Sequence, residues 1–304
     1  MPERIFPVPD ALVGERVDAA LTRMTGLSRS AVAKIIDGGG VLADGIPCKK
    51  SDRLTESALL QVDMPQPRPQ GIEPTPVGMD IIFEDEDIVV VNKPVGVAAH
   101  TGPGWEGPTV IGALIAAGRR VATSGPVERQ GIVHRLDVGT SGAMVVTKSE
   151  VAYSRLKNAF RYRRVDKVYH ALVQGHPDPS SGTIEASIGR HPGKEFKMGV
   201  VEGGKFARTH YDTLEAMPGA SLLKVHLETG RTHQIRVHMQ AIGHPLVGDP
   251  TYGGDPKMAE KLGLTRQWLH AAELGFEHPV TCEKMVFHAP YPTDLVAALD
   301  VLRL

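Results

Sequence analysis

Five prolines between residues 65 and 79 constrain the fold of this sequence more than any other feature. Proline fixes φ and lacks a backbone donor, so this density of prolines excludes a helix or a central strand. The prolines instead stiffen the chain into an extended spacer. We therefore predict two domains, residues 1–64 and 80–304, joined by a linker at 65–79. The prolines are Pro65, Pro67, Pro69, Pro74 and Pro76.

The composition is that of an ordinary globular protein, with 304 residues, 41% apolar and 23% charged. The formal net charge of −1 gives no support for nucleic-acid binding. An RNA-binding surface would therefore require local segregation of positive charge. Aromatic residues make up 5% of the chain, so stacking on many successive bases is not indicated.

The sequence also bears on the cellular compartment. Cys48 and Cys282 lie far apart and form no metal-ligand or redox spacing, so we expect reduced thiols in a cytoplasmic protein. Residues 1–7 have no basic region followed by an apolar core, so no signal peptide is expected. No apolar run approaches the roughly 20 residues of a membrane helix.

The first domain reads as two helices followed by a hairpin. Apolar residues at helical spacing predict a helix over 15–25 that ends at Gly26. Ser28 is suited to cap a second helix, which ends at Gly38–Gly40. Asp44-Gly45 between apolar residues predicts a hairpin, and a strand follows at Leu59–Val62. The inward residues are Val17, Ala20, Leu21 and Met24 in the first helix and Val32, Ile35 and Ile36 in the second.

The second domain alternates strands and helices. Apolar runs predict strands at 81–83, 88–91, 143–147, 165–173, 206–214 and 222–227. Helices are predicted at 109–118, 149–160 and 294–302, and another follows Thr232 as its cap, with Ile235, Met239 and Ile242 on one face. The apolar face of the helix at 149–160 is predicted to be Val151, Leu156, Ala159 and Phe160.

Residues 131–142 carry the most specific pattern in the chain. A His, an Arg and an Asp lie on a glycine-containing turn between an apolar run and a strand, and such turns often carry function. An isolated Arg-x-Asp would be read as a surface ion pair. The complete string, His-Arg-Leu-Asp-x-x-Thr-Ser-Gly at 134–142, is much more specific.

This string resembles the active-site motif of the RluA/RluD family of RNA pseudouridine synthases. Further segments resemble the same family and follow its order along the chain. They are Asn-Lys-Pro-x-Gly at 92–96 with His100, Lys-x-Tyr at 167–169, Gly-Arg-Thr-His-Gln-Ile-Arg-x-His at 230–238, Gly248–Gly253 and Leu269–Ala271. Residues 1–64 resemble the S4 RNA-binding domain through Leu27–Ser30 and Val41–Gly45.

The resemblance implies isomerisation of uridine to pseudouridine in RNA, most specifically in large-subunit (23S) ribosomal RNA. The base is detached at N1, turned and rejoined through C5, so neither a metal nor an organic cofactor is expected. We expect a monomer that acts on ribosomal RNA or a pre-ribosomal particle. The fold is expected to be α+β, with a mixed, mostly antiparallel sheet and flanking helices in the catalytic domain and a small S4-like α/β domain before it.

The resemblance also implies roles for individual residues. Asp137 is the expected catalytic carboxylate, either as a nucleophile at the sugar or as a base in a glycal route. Arg236 would lie beside it and keep it charged, so that Asp137→Ala is expected to leave Arg236 unpaired. Tyr169 and Ile235 would contact the flipped base. Arg135 would enter the RNA stack, with His134 and Lys167 also on the substrate side.

Two basic clusters are candidate RNA-backbone surfaces. In the first domain, Arg16, Arg29 and Lys34, together with Lys49 and Lys50, would contact phosphates. In the second domain, positive charge gathers between residues 155 and 167, as an RNA-backbone surface or as a solvated helix end that complements the dipole. Its members are Arg155, Lys157, Arg161, Arg163, Arg164 and Lys167.

The sequence is also compatible with two other functions. One is a non-catalytic RNA-binding protein that assists ribosome assembly. The other is a hydrolase that uses the carboxylate and the histidines. A Ser-His-Asp triad of Ser141, His134 and Asp137 is conceivable from composition, but the serine lacks the Gly-x-Ser-x-Gly elbow. His233 and His238 lack the spacing of a zinc protease.

Overall fold

The computed structural model describes residues 3–27, 29–64, 72–102, 105–193 and 197–304. The chain splits into two compact units, Met1–Gln70 and Gly71–Leu304. The predicted cap at Ser28 and residues 65–71 of the predicted linker lie outside the described residues. No helix among those described is long and apolar enough to cross a membrane.

The first unit combines two helices with a four-stranded antiparallel sheet in the order β1-β4-β2-β3. Gly26 closes α1 in the left-handed conformation at φ 71°, and Asp44 and Gly45 turn the hairpin with φ of 50° and 81°. These predictions are confirmed, whereas β1 was not predicted. The elements are β1 (Glu3–Pro7), α1 (Val17–Thr25), α2 (Arg29–Asp37), β2 (Val41–Ala43), β3 (Ile46–Pro47) and β4 (Leu59–Asp63).

The second unit contains five α-helices and eleven strands among its described residues. The helices are α3 (Val110–Ala116), α4 (Glu150–Arg161), α5 (Gln234–Ala241), α6 (Pro256–Lys261) and α7 (Thr293–Arg303). The strands are β5 (Asp80–Glu84), β6 (Ile88–Lys93), β7 (Ser141–Thr147), β8 (Asp166–Gln174), β9 (Ser181–Glu185), β10 (Ile188–Arg190), β11 (Met198–Val200), β12 (Arg208–Met217), β13 (Ala220–Leu227), β14 (Leu269–Glu277) and β15 (Lys284–His288).

A nine-stranded sheet forms the frame of this unit. Its order is β5-β6-β7-β14-β8-β13-β12-β9, and β15 pairs with β14. Strands β7 and β14 run parallel, through His270 opposite Ser141 and Ala271 opposite Gly142, and the other neighbouring pairs of the sheet are antiparallel. The predicted α+β fold with a mixed, mostly antiparallel sheet is confirmed.

The strands β6, β7 and β14 are buried on both faces of the sheet. Alternate residues of a strand point to opposite faces, so Val89 and Val91 of β6 pack in one core with α3 and α5. Ile88 and Val90 pack in another core with α4. A further core joins the sheet to α7 through Trp268. Residues 72–79 form no helix or strand, and Ile72, Val77 and Met79 pack against the first of these cores.

Two local predictions are wrong. In α4, Leu156 is buried and Ala159 and Phe160 pack against the same core as predicted, but Val151 is 51% exposed, and Ala152 and Tyr153 are buried in its place. Residues four apart share a helix face, so Ala152 lies beside Leu156 whereas Val151, five residues before it, does not. The Ser149 hydroxyl caps the helix by accepting from the Ala152 N–H at 3.2 Å.

The helix α5 is not capped by Thr232. Its N-cap is His233, whose backbone is left-handed at φ 57° and whose side chain makes no capping hydrogen bond. A β-type conformation is usual at this position, where a side-chain oxygen satisfies a free N–H. The His233 ring is consequently available for other contacts.

Candidate active site

Three sequence motifs meet in one cleft of about 490 Å³ in the second unit. Its walls come from the turn before β7, from the end of α4 and the start of β8, and from the end of β13 and the start of α5. The cleft therefore brings together all the second-domain residues assigned a role by the resemblance. They are His134, Arg135, Asp137, Lys167, Tyr169, Ile235 and Arg236.

The Asp137 turn is tied to the loop after β6 by a buried lysine. Lys93 is fully buried, and its ammonium donates to the carbonyl oxygens of Pro94 (2.9 Å), Val97 (2.8 Å) and Val138 (3.5 Å). Burial lowers the pKa of Lys93 to about 7, against the opposing effect of the Asp137 carboxylate. The Asn-Lys-Pro-x-Gly segment thus supports the backbone next to Asp137.

The other side of the turn rests on residues just before β14. Arg266 donates to the carbonyl oxygen of Gly139 at 3.1 Å, and Gln267 donates to the Thr140 hydroxyl at 3.3 Å. A Cβ on Gly139 would lie 2.7 Å from the Gln267 side chain, so a larger residue would push this support away. The turn is therefore held between the end of β6 on one side and the residues just before β14 on the other.

The Ser141 hydroxyl pairs with His270, whereas a Ser141-His134-Asp137 triad would require it to pair with His134. It lies 2.9 Å from Nδ1 of His270, while Nε2 of His134 accepts from the Val145 N–H at 3.0 Å. The alternative that joins Ser141, His134 and Asp137 in one triad is therefore wrong.

Asp137 and Arg236 face one another at ion-pair distance. Nη1 of Arg236 lies 3.6 Å from Oδ2 of Asp137, whose side chain is 18% exposed. The stronger partner of Arg236 is Asp249, which accepts from Nε at 2.7 Å and from Nη2 at 2.9 Å. Burial opposes the charge on each member of this pair, but the pairing prevails, raising the pKa of Arg236 and lowering that of Asp249.

The expectation that Asp137→Ala leaves Arg236 unpaired is consequently wrong. Asp249 would still hold the guanidinium in that variant. Its Oδ1 also accepts from the backbone N–H groups of Thr251 and Tyr252, so the Gly-Asp-Pro-x-Tyr-Gly segment positions Arg236. The sequence singled out this segment but assigned it no role, because nothing local indicates which arginine the aspartate will meet.

His233 is a further group that the sequence left without a role. Its Nε2 lies 3.8 Å from Oδ2 of Asp137, and its Nδ1 lies 2.8 Å from the Tyr252 hydroxyl. Burial lowers the pKa of His233 despite the nearby Asp137 carboxylate. The ring is therefore neutral at physiological pH.

Tyr169, Ile235 and Leu269 give the cleft an apolar wall beside Asp137. Tyr169 is 9% exposed, and burial raises its pKa, so the phenol stays neutral. A planar apolar surface next to a carboxylate suits a flat, uncharged base.

The His134 ring forms part of another wall. It stacks on Phe160 with ring centroids 4.5 Å apart, and burial lowers its pKa to about 3. Because Nε2 also accepts from the backbone of β7, the imidazole is neutral and fixed. These contacts favour a role for His134 in shaping the cleft. That role is compatible with the resemblance, which places His134 on the substrate side.

Part of the predicted basic cluster lines the cleft. Arg161, Arg163 and Lys167 are lining residues, and burial lowers the pKa of Lys167 to about 8. Arg135 and Arg231 add positive charge to the same rim. The remaining members, Arg155, Lys157 and Arg164, do not line it. Arg155 instead donates to the carbonyl oxygen of Pro279 at 2.6 Å.

The predicted phosphate contacts of the first unit are surface residues. Arg16, Arg29 and Lys34 are exposed. Arg16 is held by Asp18 at 2.9 Å, and this hydrogen-bonded pair raises the Arg16 pKa. Lys50 is similarly held by Asp37 at 2.7 Å.

Among the described residues, one group has the spacing of metal ligands. It consists of Asp85, Asp87 and His278, and none of these lines the cleft. Nδ1 of His278 accepts from the Thr281 N–H at 3.0 Å, so the ring proton is on Nε2, which lies 2.9 Å from Asp85. The lone pair of this tautomer is on Nδ1 and is already engaged by backbone N–H groups, so the ring has no free lone pair for a metal.

Comparisons with known proteins agree with the geometry. Residues 87–241 match the family described as RNA pseudouridylate synthase. An uncharacterised RNA pseudouridine synthase of Mycobacterium bovis is 59% identical over 306 residues, covering 100% of this chain and 99% of that protein. The ribosomal large subunit pseudouridine synthase D of Escherichia coli is 39% identical over 307 residues, covering 97% and 93% respectively.

A solved structure shares the fold. The human RNA pseudouridylate synthase domain containing 1 is 30% identical, with a TM-score of 0.58, over 73% of this chain and 87% of that one. The chain therefore belongs to the RNA pseudouridylate synthase family. It is an RNA pseudouridine synthase, an isomerase whose substrate is RNA.

Proposed function

We propose that this enzyme converts specific uridines of 23S ribosomal RNA to pseudouridine, with Asp137 as the catalytic carboxylate. The Escherichia coli relative named for the ribosomal large subunit, aligned over nearly the whole length of both chains, supports this substrate. The observation that carries the role of Asp137 is its position in the cleft, 3.6 Å from a buried guanidinium.

The reaction breaks the bond from N1 to C1′ and forms a bond from C5 to C1′. The proton leaves C5 and N1 gains one, so the reaction is balanced within one nucleotide. Asp137 acts at the sugar, either as the nucleophile or as the base of a glycal route, and both require the ionised carboxylate. Arg236 favours that form, because an adjacent cation stabilises the negative charge.

The remaining cleft residues are proposed to hold an everted nucleotide. Flipping a base costs a few kcal/mol, which contacts inside the pocket repay. Tyr169 and Ile235 pack on the uracil, and Arg135 takes its place in the RNA stack. Lys167 contacts phosphate, with Arg161 and Arg163 beside it.

The first unit is proposed to be an S4-like RNA-binding domain, with Arg16, Arg29 and Lys34 as phosphate contacts. Two helices packed on a small sheet with exposed basic residues support this assignment. We further propose that the enzyme is a cytoplasmic monomer that acts on ribosomal RNA or a pre-ribosomal particle.

Asp137→Asn tests the catalytic assignment. The amide has nearly the same shape but no charge, so pseudouridine formation is expected to be abolished while RNA binding is retained. Tritium release from RNA containing 5-tritiated uridine measures the first, and filter binding measures the second. The matched control is Asp212→Asn, an exposed carboxylate on β12 that does not line the cleft. Full activity of Asp137→Asn would reject the assignment.

The same assay separates the enzyme from a non-catalytic assembly factor, which would bind RNA without releasing tritium. The complete set of Arg135, Asp137, Tyr169 and Arg236 in or around one cleft favours catalysis. The substrate is tested by mapping pseudouridines in a strain that lacks the protein. Loss of sites in 23S ribosomal RNA is expected, and loss confined to transfer RNA would contradict the proposed substrate.

A further inference from the structure

We propose that His233 is a positioning residue, which presents an Nε2–H donor to Asp137 because the Tyr252 hydroxyl fixes its tautomer. The inference rests on the proposed role of Asp137. It concerns a row of groups that runs from the backbone of β11 through Tyr252 and His233 to the carboxylate.

Tyr252 is held firmly enough to act as the fixed point of this row. It is fully buried. The cationic groups of Arg236 and Lys197 lie 4.7 Å and 5.0 Å from its ring centroid. Its hydroxyl oxygen accepts from the Met198 N–H at 3.0 Å. A ring in contact with two cations and anchored at its hydroxyl has little freedom to turn.

The hydrogen bonds of Tyr252 determine where the proton of the His233 ring lies. A backbone N–H can only donate, so the phenol oxygen accepts from Met198 and its own proton must find another acceptor. Within the described part of the chain, the second partner of this hydroxyl is Nδ1 of His233 at 2.8 Å. Nδ1 therefore accepts, and the neutral imidazole carries its proton on Nε2.

The protonated nitrogen is the one that approaches Asp137. Nε2 lies 3.8 Å from Oδ2, the same oxygen that Nη1 of Arg236 approaches at 3.6 Å. Both distances exceed that of a hydrogen bond, and catalytic hydrogen bonds often tighten only when substrate binds. Two donors that converge on one oxygen would fix the carboxylate in rotation and leave Oδ1 for the substrate.

The backbone of His233 fits this function better than a purely structural one. Its φ of 57° is unusual for a residue other than glycine, and its side chain does not cap α5. Such conformations are costly and tend to persist at functional sites. Burial lowers the pKa of the ring, so it can donate without adding a second full charge beside Arg236.

A pair of substitutions separates donation from structure. His233→Gln carries an amide N–H that reaches the position of Nε2, whereas His233→Asn tolerates the left-handed backbone but is too short to reach Asp137. With a 23S ribosomal RNA fragment as substrate, we expect His233→Asn to lower kcat by about 10- to 100-fold with KM little changed. His233→Gln should recover most of that loss.

The opposite order, with His233→Asn more active than His233→Gln, would mean that the backbone conformation alone matters and would overturn the proposal. Thermal unfolding of both variants verifies that the rates belong to folded protein. If Asp137→Asn is itself fully active, the proposed catalytic role fails instead, so the two failures are distinguishable.

The tautomer can be read directly in the intact protein, independently of activity. Nitrogen NMR of protein labelled in its 13 histidines, with His233 assigned by the signal missing in His233→Gln, should show protonated Nε2 and unprotonated Nδ1. Tyr252→Phe removes the phenol proton, so Nδ1 should gain protonated character and kcat should fall. A protonated Nδ1 in the unaltered enzyme would overturn the proposal.

Discussion

The guanidinium of Arg236 is shared unequally by two carboxylates. Asp249 takes two hydrogen bonds of 2.7 Å and 2.9 Å, and Asp137 lies at 3.6 Å. The buried arginine is thus neutralised by a residue that lines no part of the cleft. Asp137 keeps a cation beside it without being locked into a bidentate pair.

Asp249→Asn should affect both stability and catalysis. Removing one charge of a buried pair costs about 3–5 kcal/mol, and a guanidinium released from Asp249 would be free to pair fully with Asp137. We expect a lower midpoint in urea and a lower single-turnover rate. The matched control, Asp255→Asn at the N-cap of α6, should change neither, because asparagine caps as well as aspartate. An unchanged rate in Asp249→Asn would show that Arg236 needs no second partner.

Asp137→Ala should, in contrast, leave stability almost unchanged. Arg236 keeps its two hydrogen bonds to Asp249, so no buried charge is left unpaired. The free energy of unfolding is expected to change by less than about 1 kcal/mol, while activity is lost. Urea unfolding measures this, and a loss as large as that of Asp249→Asn would mean that Asp137 is the main partner of Arg236.

At the scale of single elements, most predictions succeeded where a boundary residue was unambiguous. Gly26 ends α1 and Asp44-Gly45 turns a hairpin, as their chemistry dictates. The strings around Asp137, Tyr169 and Arg236 also predicted which residues would share a cleft. One residue of the buried face of α4, Val151, was wrong, because an apolar side chain does not by itself show which face it joins. The cap of α5 was missed, because Thr232 has the usual capping chemistry and His233 does not. Partners distant in sequence, such as Asp249, leave no local signal.

The corrected face of α4 predicts a contrast between two apolar residues. Leu156 is 1% exposed, so Leu156→Ala should lower the free energy of unfolding by about 2–5 kcal/mol through a cavity. Val151→Ala is the matched control, because Val151 lies on the exposed face, and it should change stability by less than about 0.5 kcal/mol. Equal effects in urea unfolding would contradict this assignment of the faces.

Strand β14 contributes a dependence of stability on pH. His270 is fully buried, and burial lowers its pKa from 6.5 to about 4. Below pH 6.5 the unfolded chain takes up a proton that the folded protein refuses. Protonation of His270 therefore leaves the free energy of unfolding unchanged above about pH 6.5 and lowers it by about 3 kcal/mol as the pH falls to 4.

Urea unfolding between pH 4 and pH 6.5 measures this slope. His270→Gln has no titrating ring. Its free energy of unfolding should therefore depend less steeply on pH, by an amount that corresponds to at most one bound proton. His134, with its pKa lowered to about 3, should retain its own contribution in the variant. Identical slopes for the two proteins would show that His270 does not titrate in this way.

At the scale of the whole molecule, the cleft lies entirely within the second unit. Removing residues 1–70 should therefore leave catalysis on a short RNA and weaken binding. If Arg16, Arg29 and Lys34 contact phosphates, the slope of log K against log salt should fall by about one for each, roughly three in total. Binding measured at several salt concentrations tests this, with kcat on the short RNA as the control. An unchanged slope would contradict the RNA-binding role of the first unit.

The parallel pairing of β7 with β14 has a consequence for the synthesis of the chain. Ser141 and Gly142 pair with His270 and Ala271, and the supports of the Asp137 turn, Arg266 and Gln267, immediately precede the same late strand. A nascent polypeptide that has emerged only as far as α5 already carries Asp137, Arg236 and the Lys93 support of the turn, but it lacks the supports from Arg266 and Gln267. The Asp137 turn is therefore expected to reach its final geometry only after β14 has been synthesised and has paired with β7.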